Sequence, residues 1–532
     1  MIYAIKLFLA VLILNAMLAP LLRRAFDGLM TRREYWRTWI VLLGAAIVSF
    51  LSLKPVIFTI GVAVVGMLAT SMFGSDAKGR LATFWLLLLV FPSVTLSTEG
   101  VGGINRLIEL NHTRVISLIV LLPAALSLMG DRKLKIRSEM RWMDLFVMAY
   151  PIMKMVGSFQ SSSVSNLLRT AVELLLDVLL PYYVTTRGLR TAADLKFVSV
   201  RAALGFVFLA IVGLLESVLR KNVYSELQFI YGVQWQLTHV LMRGSFIRVQ
   251  STFPVPIVMA FAMTFGLAFW TWLCPAARVG SRAKFAVFAT IFLALLATWS
   301  RGPLLGALVM LLCLGGLRWV APYKFMALLL ACVAGGIALK VAGADQYVYS
   351  ALQVVFGSSE ADTSSIDYRK RLLDTAIALI QQSPFWGVPN YAAYMQDMKQ
   401  GEGIIDLVNT YVAITLDNGL VGLFLFLLPH FVIIFSLFRR LRATAATHRR
   451  AIGSFPIVMI ATTVSALVTI FTTSTFSVMS DLLLFIVAAP CAWLAMDPQE
   501  QRLADSVNEL KGQLPVGKVP SGIGTAGVPT YR

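Results

Sequence analysis

An all-α polytopic integral membrane protein is the fold class that the sequence predicts, and three observations predict it. The first is composition: 58% of the 532 residues are hydrophobic and 14% charged, with a mean hydropathy of +0.77. Soluble domains sit near roughly 45–50% apolar and about 25% charged. The second is a succession of apolar runs close to the ~20 residues that carry a helix across a bilayer. The third is that Lys and Arg fall in short loops between those runs, on every second loop. The formal net charge of +19 therefore does not describe a nucleic-acid-binding face. Its basic residues are spread through loops instead of gathered on one soluble surface, and no nucleic-acid partner is expected.

In chain order the apolar runs are 2–21, 36–53, 55–73, 82–97, 114–130, 143–158, 165–185, 198–219, 252–275, 283–299, 303–317, 321–343, 418–437, 453–474 and 478–496. Several are short for a span, which puts the count at roughly 12 to 15 transmembrane helices. The first run lacks a basic leader and a small-residue cleavage site and reads as a retained span. Pro123, Pro151, Pro181 and Pro256 lie inside runs, where neighbouring helices tolerate them as kinks. Basic loops follow the first, third, fifth and seventh runs, at Arg23–Arg37, Lys78–Arg80, Arg132–Arg141 and Arg187–Lys196. The later ones are Arg278–Lys284, Arg318–Lys324 and Arg439–Arg450. One orientation satisfies them all: these loops cytoplasmic, the alternate loops outside, the N-terminus outside and the C-terminus inside.

Four regions follow. Residues 1–343 are transmembrane helices with short loops and an outer loop near 220–251. Residues 344–406 are one large outer loop between late helices, 407–496 the C-terminal transmembrane helices, and 497–532 a disordered cytoplasmic tail rich in Gly and Pro. A polar excursion as long as 344–406 is rarely a mere connector. Within it Tyr368, Leu372, Ala376, Leu379 and Ile380 are spaced for one apolar helical face, and Pro384, Gly387 and Pro389 stop that helix. The aromatic-rich stretch 223–241 has the character of an interfacial helix. No internal repeat is present, which counts against transporters built on inverted repeats.

Chemistry-bearing residues concentrate on the outer side. Ser300-Arg301-Gly302-Pro303 sets an arginine in a tight turn between two spans. An arginine fork beside helix N-terminal amides suits a phosphate or pyrophosphate, although an arginine snorkelling to the interface would look the same. Arg243 and Arg248 stand just before the run at 252–275, and Arg369 and Arg371 lie in the large loop. Outer loops should be poor in basic residues, so an anionic substrate outside the membrane would supply the cause. Asp367, Glu402 and Asp406 are outer carboxylates with the chemistry of general bases, or are simply exposed. His112, His239, His430 and His448 show no metal spacing, and Cys274, Cys313, Cys332 and Cys491 all lie in apolar runs. No metal site and no cofactor are expected.

Three segments together resemble the O-antigen ligase and polysaccharide polymerase superfamily of bacterial envelopes. Ser300-Arg301-Gly302-Pro303-Leu304-Leu305 is similar to the family's Arg-Gly-x-x-Leu turn. Tyr368-Arg369 through Ser383-Pro384-Phe385-Trp386-Gly387 resembles its Tyr-Arg…Pro-x-x-Gly stretch. Asn409-Thr410-Tyr411-Val412 through Asp417-Asn418-Gly419-Leu420-Val421-Gly422 resembles the passage out of the large periplasmic loop. Arg248 with Thr252-Phe253 and Pro256 is a weaker fourth match. Lipid A–core ligases carry a histidine just before the Asn-x-Tyr stretch, where this chain has Val408; in that respect it looks more like exopolysaccharide polymerases.

The resemblance implies a metal-independent glycosyltransferase in the bacterial inner membrane with its active face periplasmic. The donor would be an undecaprenyl-pyrophosphate-linked oligosaccharide and the acceptor another lipid-linked repeat unit. Membrane lipid and other polysaccharide assembly and export proteins would be its partners. Arg301, Arg369 and Asp406 would be catalytic, with Arg243, Arg248, Arg371, Asn409 and Tyr411 binding substrate. A ligase transferring a finished glycan is the alternative within the superfamily. A transporter or flippase of lipid-linked oligosaccharide is the alternative outside it, kept open by Lys154, Arg169, Glu173, Asp177, Arg201, Glu216 and Lys340 within apolar runs.

Overall fold

The computed structural model describes residues 2–52, 54–99, 106–131, 138–161, 164–224, 241–243, 245–319, 360–388, 391–399, 405, 407, 409–443, 454–475 and 477–496. The tail, the run 321–343 with Lys340, most of the aromatic stretch 223–241, and the residues Asp406 and Val408 lie outside them. Every other apolar run carries a helix. These are α1 (Ile2–Ala25), α2 (Arg32–Leu51), α3 (Pro55–Phe73), α4 (Ala77–Val90), α5 (His112–Met129) and α6 (Ser138–Ser161). A rod termed α7 follows, Val164–Leu174 continuing through a π-turn at Leu175–Leu179 into Leu180–Gly188. Then come α8 (Ala192–Leu219), α9 (Pro256–Leu273), α10 (Ser281–Ala297) and α11 (Arg301–Trp319). After the polar α12 (Glu360–Gln382), the chain closes with α13 (Thr410–Ala443), α14 (Phe455–Phe471) and α15 (Val478–Ala495). Among the described residues, eight helices are long and apolar enough to cross a membrane, and two more near 301–317 and 455–471 are apolar but shorter.

Two differences from the sequence reading have local causes. The run 82–97 is helical only to Val90, since the chain reaches Pro92 and then enters a strand, Thr95–Glu99. The expected outer loop 98–112 contains the partner strand, Arg106–Asn111, paired antiparallel with the first. A second small hairpin joins Met242–Arg243 to Phe246–Ile247. These are the only strands among the described residues, so the all-α class stands.

The innermost helices are α4, α8, α9 and α15. Leu81–Phe91 is buried without interruption, and Trp85 and Phe269 both pack on Phe485 from α15. Helices that are apolar all round belong in such a centre. The outer helices α1, α3 and α13 instead expose Ile13 and Met17, Ile57 and Ile60, Phe431 and Phe435. A lipid solvent makes such exposure costless.

The two ends of the bundle differ in kind. At one end the basic loops meet. Lys78 pairs with Asp194 at 3.2 Å, Arg190 with Asp131 at 2.7 Å and Arg187 with Asp144, while the Arg278 amide donates to the Asp27 carbonyl. Capping boxes at Thr31/Glu34 and Thr191/Asp194 start α2 and α8 there; such caps contribute about 1 kcal/mol each. At the opposite end Ser93 meets Ser477, Thr252 donates to the Leu89 carbonyl, and Thr410 donates to the Thr473 carbonyl. The segments with functional character all lie at this second end.

Candidate active site

The site is built around the three residues, Thr298–Ser300, that join α10 to α11. Thr298 closes α10. Trp299 then takes φ +51°, a left-handed conformation that a bulky side chain adopts only when its surroundings impose it. What imposes it is the hairpin Met242–Ile247. Arg243 donates to the Trp299 carbonyl at 2.8 Å. Phe246 stacks on the indole with ring centroids 4.9 Å apart. Arg248 donates through Nε to the Thr298 carbonyl at 3.2 Å and through Nη2 to Ser300 Oγ at 2.9 Å. The backbone of Val249 continues the seam to Ala297. Two arginines thus clamp the turn, and Arg301 projects, exposed, at the first residue of α11.

The electrostatics follow from that packing. The Arg248 guanidinium is mostly buried against neutral oxygens. Burial pulls its pKa down to about 10, and the nearby Arg243 charge adds to the shift. It stays cationic at neutral pH, so like charges are held together in a dehydrated place. That arrangement is costly alone and favourable with an anion.

Behind Arg301, α11 and α14 touch backbone to side chain. A Cβ on Gly302 would strike Thr472, and one on Gly306 would strike Thr469. The same end of α14 receives the large loop's exit. Thr410 donates to the Thr473 carbonyl through both its amide (3.2 Å) and its hydroxyl (2.8 Å). Tyr411 donates to the Leu467 carbonyl at 2.7 Å. The arginine turn and the Asn409–Tyr411 stretch, 108 positions apart in the numbering of Arg301 and Asn409 (409 − 301), therefore share one support. Asn409 accepts from the Tyr411 and Val412 amides at 2.9 and 3.3 Å, capping α13. Asn409 and Tyr411 thus act as a cap and a strut.

The other two motifs interlock. Gly387 and Gly419 have φ of +81° and +64°. A Cβ on Gly419 would run into the Phe385 carbonyl, and one on Gly387 would lie 2.6 Å from the Leu416 carbonyl. Val388 donates to the Leu416 carbonyl at 2.7 Å, and Leu420 to that of Pro384 at 2.8 Å. Only glycine permits this approach. The predicted face of α12 is confirmed: Leu372, Ala376 and Leu379 are buried with Met395, Leu407 and Leu416 in a second, small core on the end of α13. Tyr368 closes it by donating to the Met398 carbonyl.

Not every candidate joins the turn. Arg371 is exposed on α12, and among the described residues its side chain is not part of the cluster at 298–301. The side chain of Arg369 and the whole of Asp406 lie outside the described residues. A further residue braces this end, and the sequence marks it only as a charge within a span. Glu216, at the end of α8, is fully buried, and its carboxylate accepts from the amides of Val223, Gln250 and Ser251 at 2.8, 2.9 and 2.9 Å. It fixes the chain two residues after Arg248. No spacing rule points to it, because its partners are backbone amides remote in sequence. His112 and His430 are buried, and the described cysteines 313 and 491 are free.

The class defined by this fold and site is an all-helical, multi-pass membrane protein with an arginine-clamped turn and a polar loop folded against it at one end. Residues 286–427 match the family model described as O-antigen ligase. The match spans α10, α11, α12 and the first half of α13, and so contains all three motif segments. It supports the O-antigen ligase and polysaccharide polymerase superfamily that those motifs resemble. A search of curated proteins returns no match.

Proposed function

We propose that this chain is a glycosyltransferase that polymerises glycan repeat units carried on undecaprenyl pyrophosphate. It works at the periplasmic face of the bacterial inner membrane, in exopolysaccharide or O-antigen biosynthesis. One observation carries the reading: the half-buried Arg248 is bound to a carbonyl and a hydroxyl beside Arg243, on the turn that presents Arg301. A pyrophosphate is the anion that such a fork-bearing site suits. The O-antigen ligase match supports glycosyl transfer of this general type.

In the reaction an acceptor hydroxyl attacks the anomeric carbon of the donor sugar. The bond from that carbon to the pyrophosphate oxygen breaks, and the lipid pyrophosphate leaves carrying the charge that develops. Arg301 stabilises that charge, Arg243 and Arg248 hold the turn and add positive potential, and Arg369 and Arg371 approach from α12 when the glycan is bound. Asp406 takes the hydroxyl proton. Asn409 and Tyr411 keep the loop exit beside the turn. The charges are supplied by arginine, so turnover survives chelation with EDTA. Val408, where ligases have histidine, favours polymerisation over transfer to another acceptor; Val408→His tests that difference by the product formed.

The decisive experiment reconstitutes purified protein in vesicles with a lipid-linked repeat unit and follows chain length. Arg301→Ala and Arg301→Lys both remove the planar fork and are expected to lower the rate by ~10²–10³, with the protein still folded in the membrane. Near-wild-type growth from Arg301→Lys would remove Arg301 from the site.

A further inference from the structure

A second polar locus lies where α5, α6, α7, α13 and α15 come together, and the pyrophosphate reading does not use it. Arg114, at the start of α5, is buried and committed. Its Nε and Nη2 donate to Asp177 at 2.9–3.2 Å and its Nη1 pairs with Glu173 at 3.1 Å. Both helices loosen into π-turns here, Ser117–Leu121 just after Arg114 and Leu175–Leu179 around Asp177, and the two turns touch each other. Such turns recur at functional sites. Asp481, in the first turn of α15, faces the Arg114–Asp177 pair and is only 6% exposed. Among the described residues it accepts no hydrogen bond. An unmatched buried carboxylate is costly and calls for donors.

The surroundings say which donors. Asp177 and Glu173 keep about a third of their side-chain surface exposed (31% and 32%), so the locus is open on that side. Lys154 of α6 stands at its rim, within electrostatic reach of both Asp177 and Asp417. Asp417 in turn faces Tyr150 and Tyr391. Polar groups therefore extend from Asp481 to Asp417, beside the interlocked turn. Among the described residues no three His, Cys, Asp or Glu side chains converge as ligands for a metal ion. A net-acidic, open locus of carboxylates, an ammonium and tyrosines offers acceptors and donors to many hydroxyls at once, which is the chemistry that recognises a carbohydrate.

We propose that this locus is the acceptor-glycan subsite, with Asp481, Asp177 and Asp417 accepting hydrogen bonds from sugar hydroxyls and Lys154 donating to sugar oxygens at its edge. It is separate from the arginine turn that takes the donor's pyrophosphate, and it rests on the reading of the chain as a glycosyltransferase. The division explains why one end of the bundle carries a cationic locus and an acidic one.

The test uses the full chain in vesicles, growing chains on the lipid-linked repeat unit. The competitor is the lipid-free oligosaccharide released from that unit by mild acid. Wild-type growth is expected to be inhibited at millimolar competitor. Asp481→Asn keeps the side chain's size and replaces one carboxyl oxygen with an amide donor. It should weaken that inhibition about tenfold or more, while binding of radiolabelled undecaprenyl pyrophosphate without sugar is unchanged. Lys154→Met, at the exposed rim, should shift inhibition the same way and guards against a folding defect in the buried variant. No inhibition of wild type up to about 10 mM, or equal inhibition in wild type and both variants, overturns the proposal. If Arg301→Ala binds undecaprenyl pyrophosphate normally while the competition results stand, only the pyrophosphate reading falls.

Discussion

The ion-paired arginines of the basic end and the two arginines that clamp the turn at 298–300 are held differently. At the basic end the guanidinium of Arg187 is 4% exposed and pairs with Asp144, Arg201 pairs with Glu34 at 3.0 Å, and Arg190 with Asp131. Arg37 and Arg80, half-buried there, donate instead to carbonyls, and α2 and α8 start from capped turns. At the other end Arg248 is held by a carbonyl and a hydroxyl, and Arg243 donates to a carbonyl. The strain divides in the same way. Among the described residues the non-glycine positions with positive φ are Arg220, Ser251, Trp299 and Ser477, and all of them belong to this second end. Positive-φ positions at the basic end, Gly28 and Gly74, are glycines. One end is assembled for stability; the other holds charge and backbone in arrangements that a ligand would relieve.

Substitutions can break this contrast, and the largest effect is expected at the interlocked turns. Gly419→Val drives a side chain into the Phe385 carbonyl from a left-handed backbone. It should detach the loop from α13, at a cost of roughly 3 kcal/mol or more. Limited proteolysis should then cut near 384–399, and chain growth should be lost. An uncut, active variant would show that the interlock is dispensable.

Arg187→Ala, at the basic end, leaves the partly buried Asp144 without its partner. About 1–3 kcal/mol of stability should go, less than for a fully buried pair because Asp144 remains 29% exposed. The midpoint of thermal unfolding should drop while turnover per folded molecule holds. Adding Asp144→Ala should restore part of the midpoint. A loss of turnover at unchanged stability would blur the distinction between the ends.

Asn409→Ala is the smallest change. Loss of a cap costs about 1 kcal/mol, so turnover should fall only a fewfold, and Asn409→Asp should recover it. An effect as large as that of Arg301→Ala would instead give Asn409 a direct role with substrate.

Much of this contrast was legible in the sequence. The alternation of basic loops marks one end, because charge placement relative to spans is a one-dimensional signal. The apolar face of α12 is legible for the same reason, since Leu372, Ala376 and Leu379 repeat at helical spacing. What could not be read was every arrangement made by distant partners: the grip of Arg248 on Thr298 and Ser300, the amides gathered by Glu216, and Asp481 over Arg114 and Asp177. The residues 301, 387 and 419 were visible as motif positions. That Gly302 rests on Thr472, and Gly419 on Phe385, is set by packing, to which no local pattern refers. The short helix α4 is a further case, because a run that looks long enough to cross turns at Pro92 into a strand that pairs across the loop.

The central claim is that the clamped turn receives a pyrophosphate, and equilibrium binding tests it most directly. Radiolabelled undecaprenyl pyrophosphate would be titrated against purified wild type, Arg248→Gln and Arg187→Ala, with undecaprenol as the uncharged control. Arg248→Gln is expected to weaken binding about tenfold or more, through loss of a charge-assisted contact worth roughly 1.5–3 kcal/mol. Arg187→Ala should bind as wild type does, and undecaprenol should not distinguish the three. Equal pyrophosphate affinity in wild type and Arg248→Gln, with both proteins folded, would contradict the account.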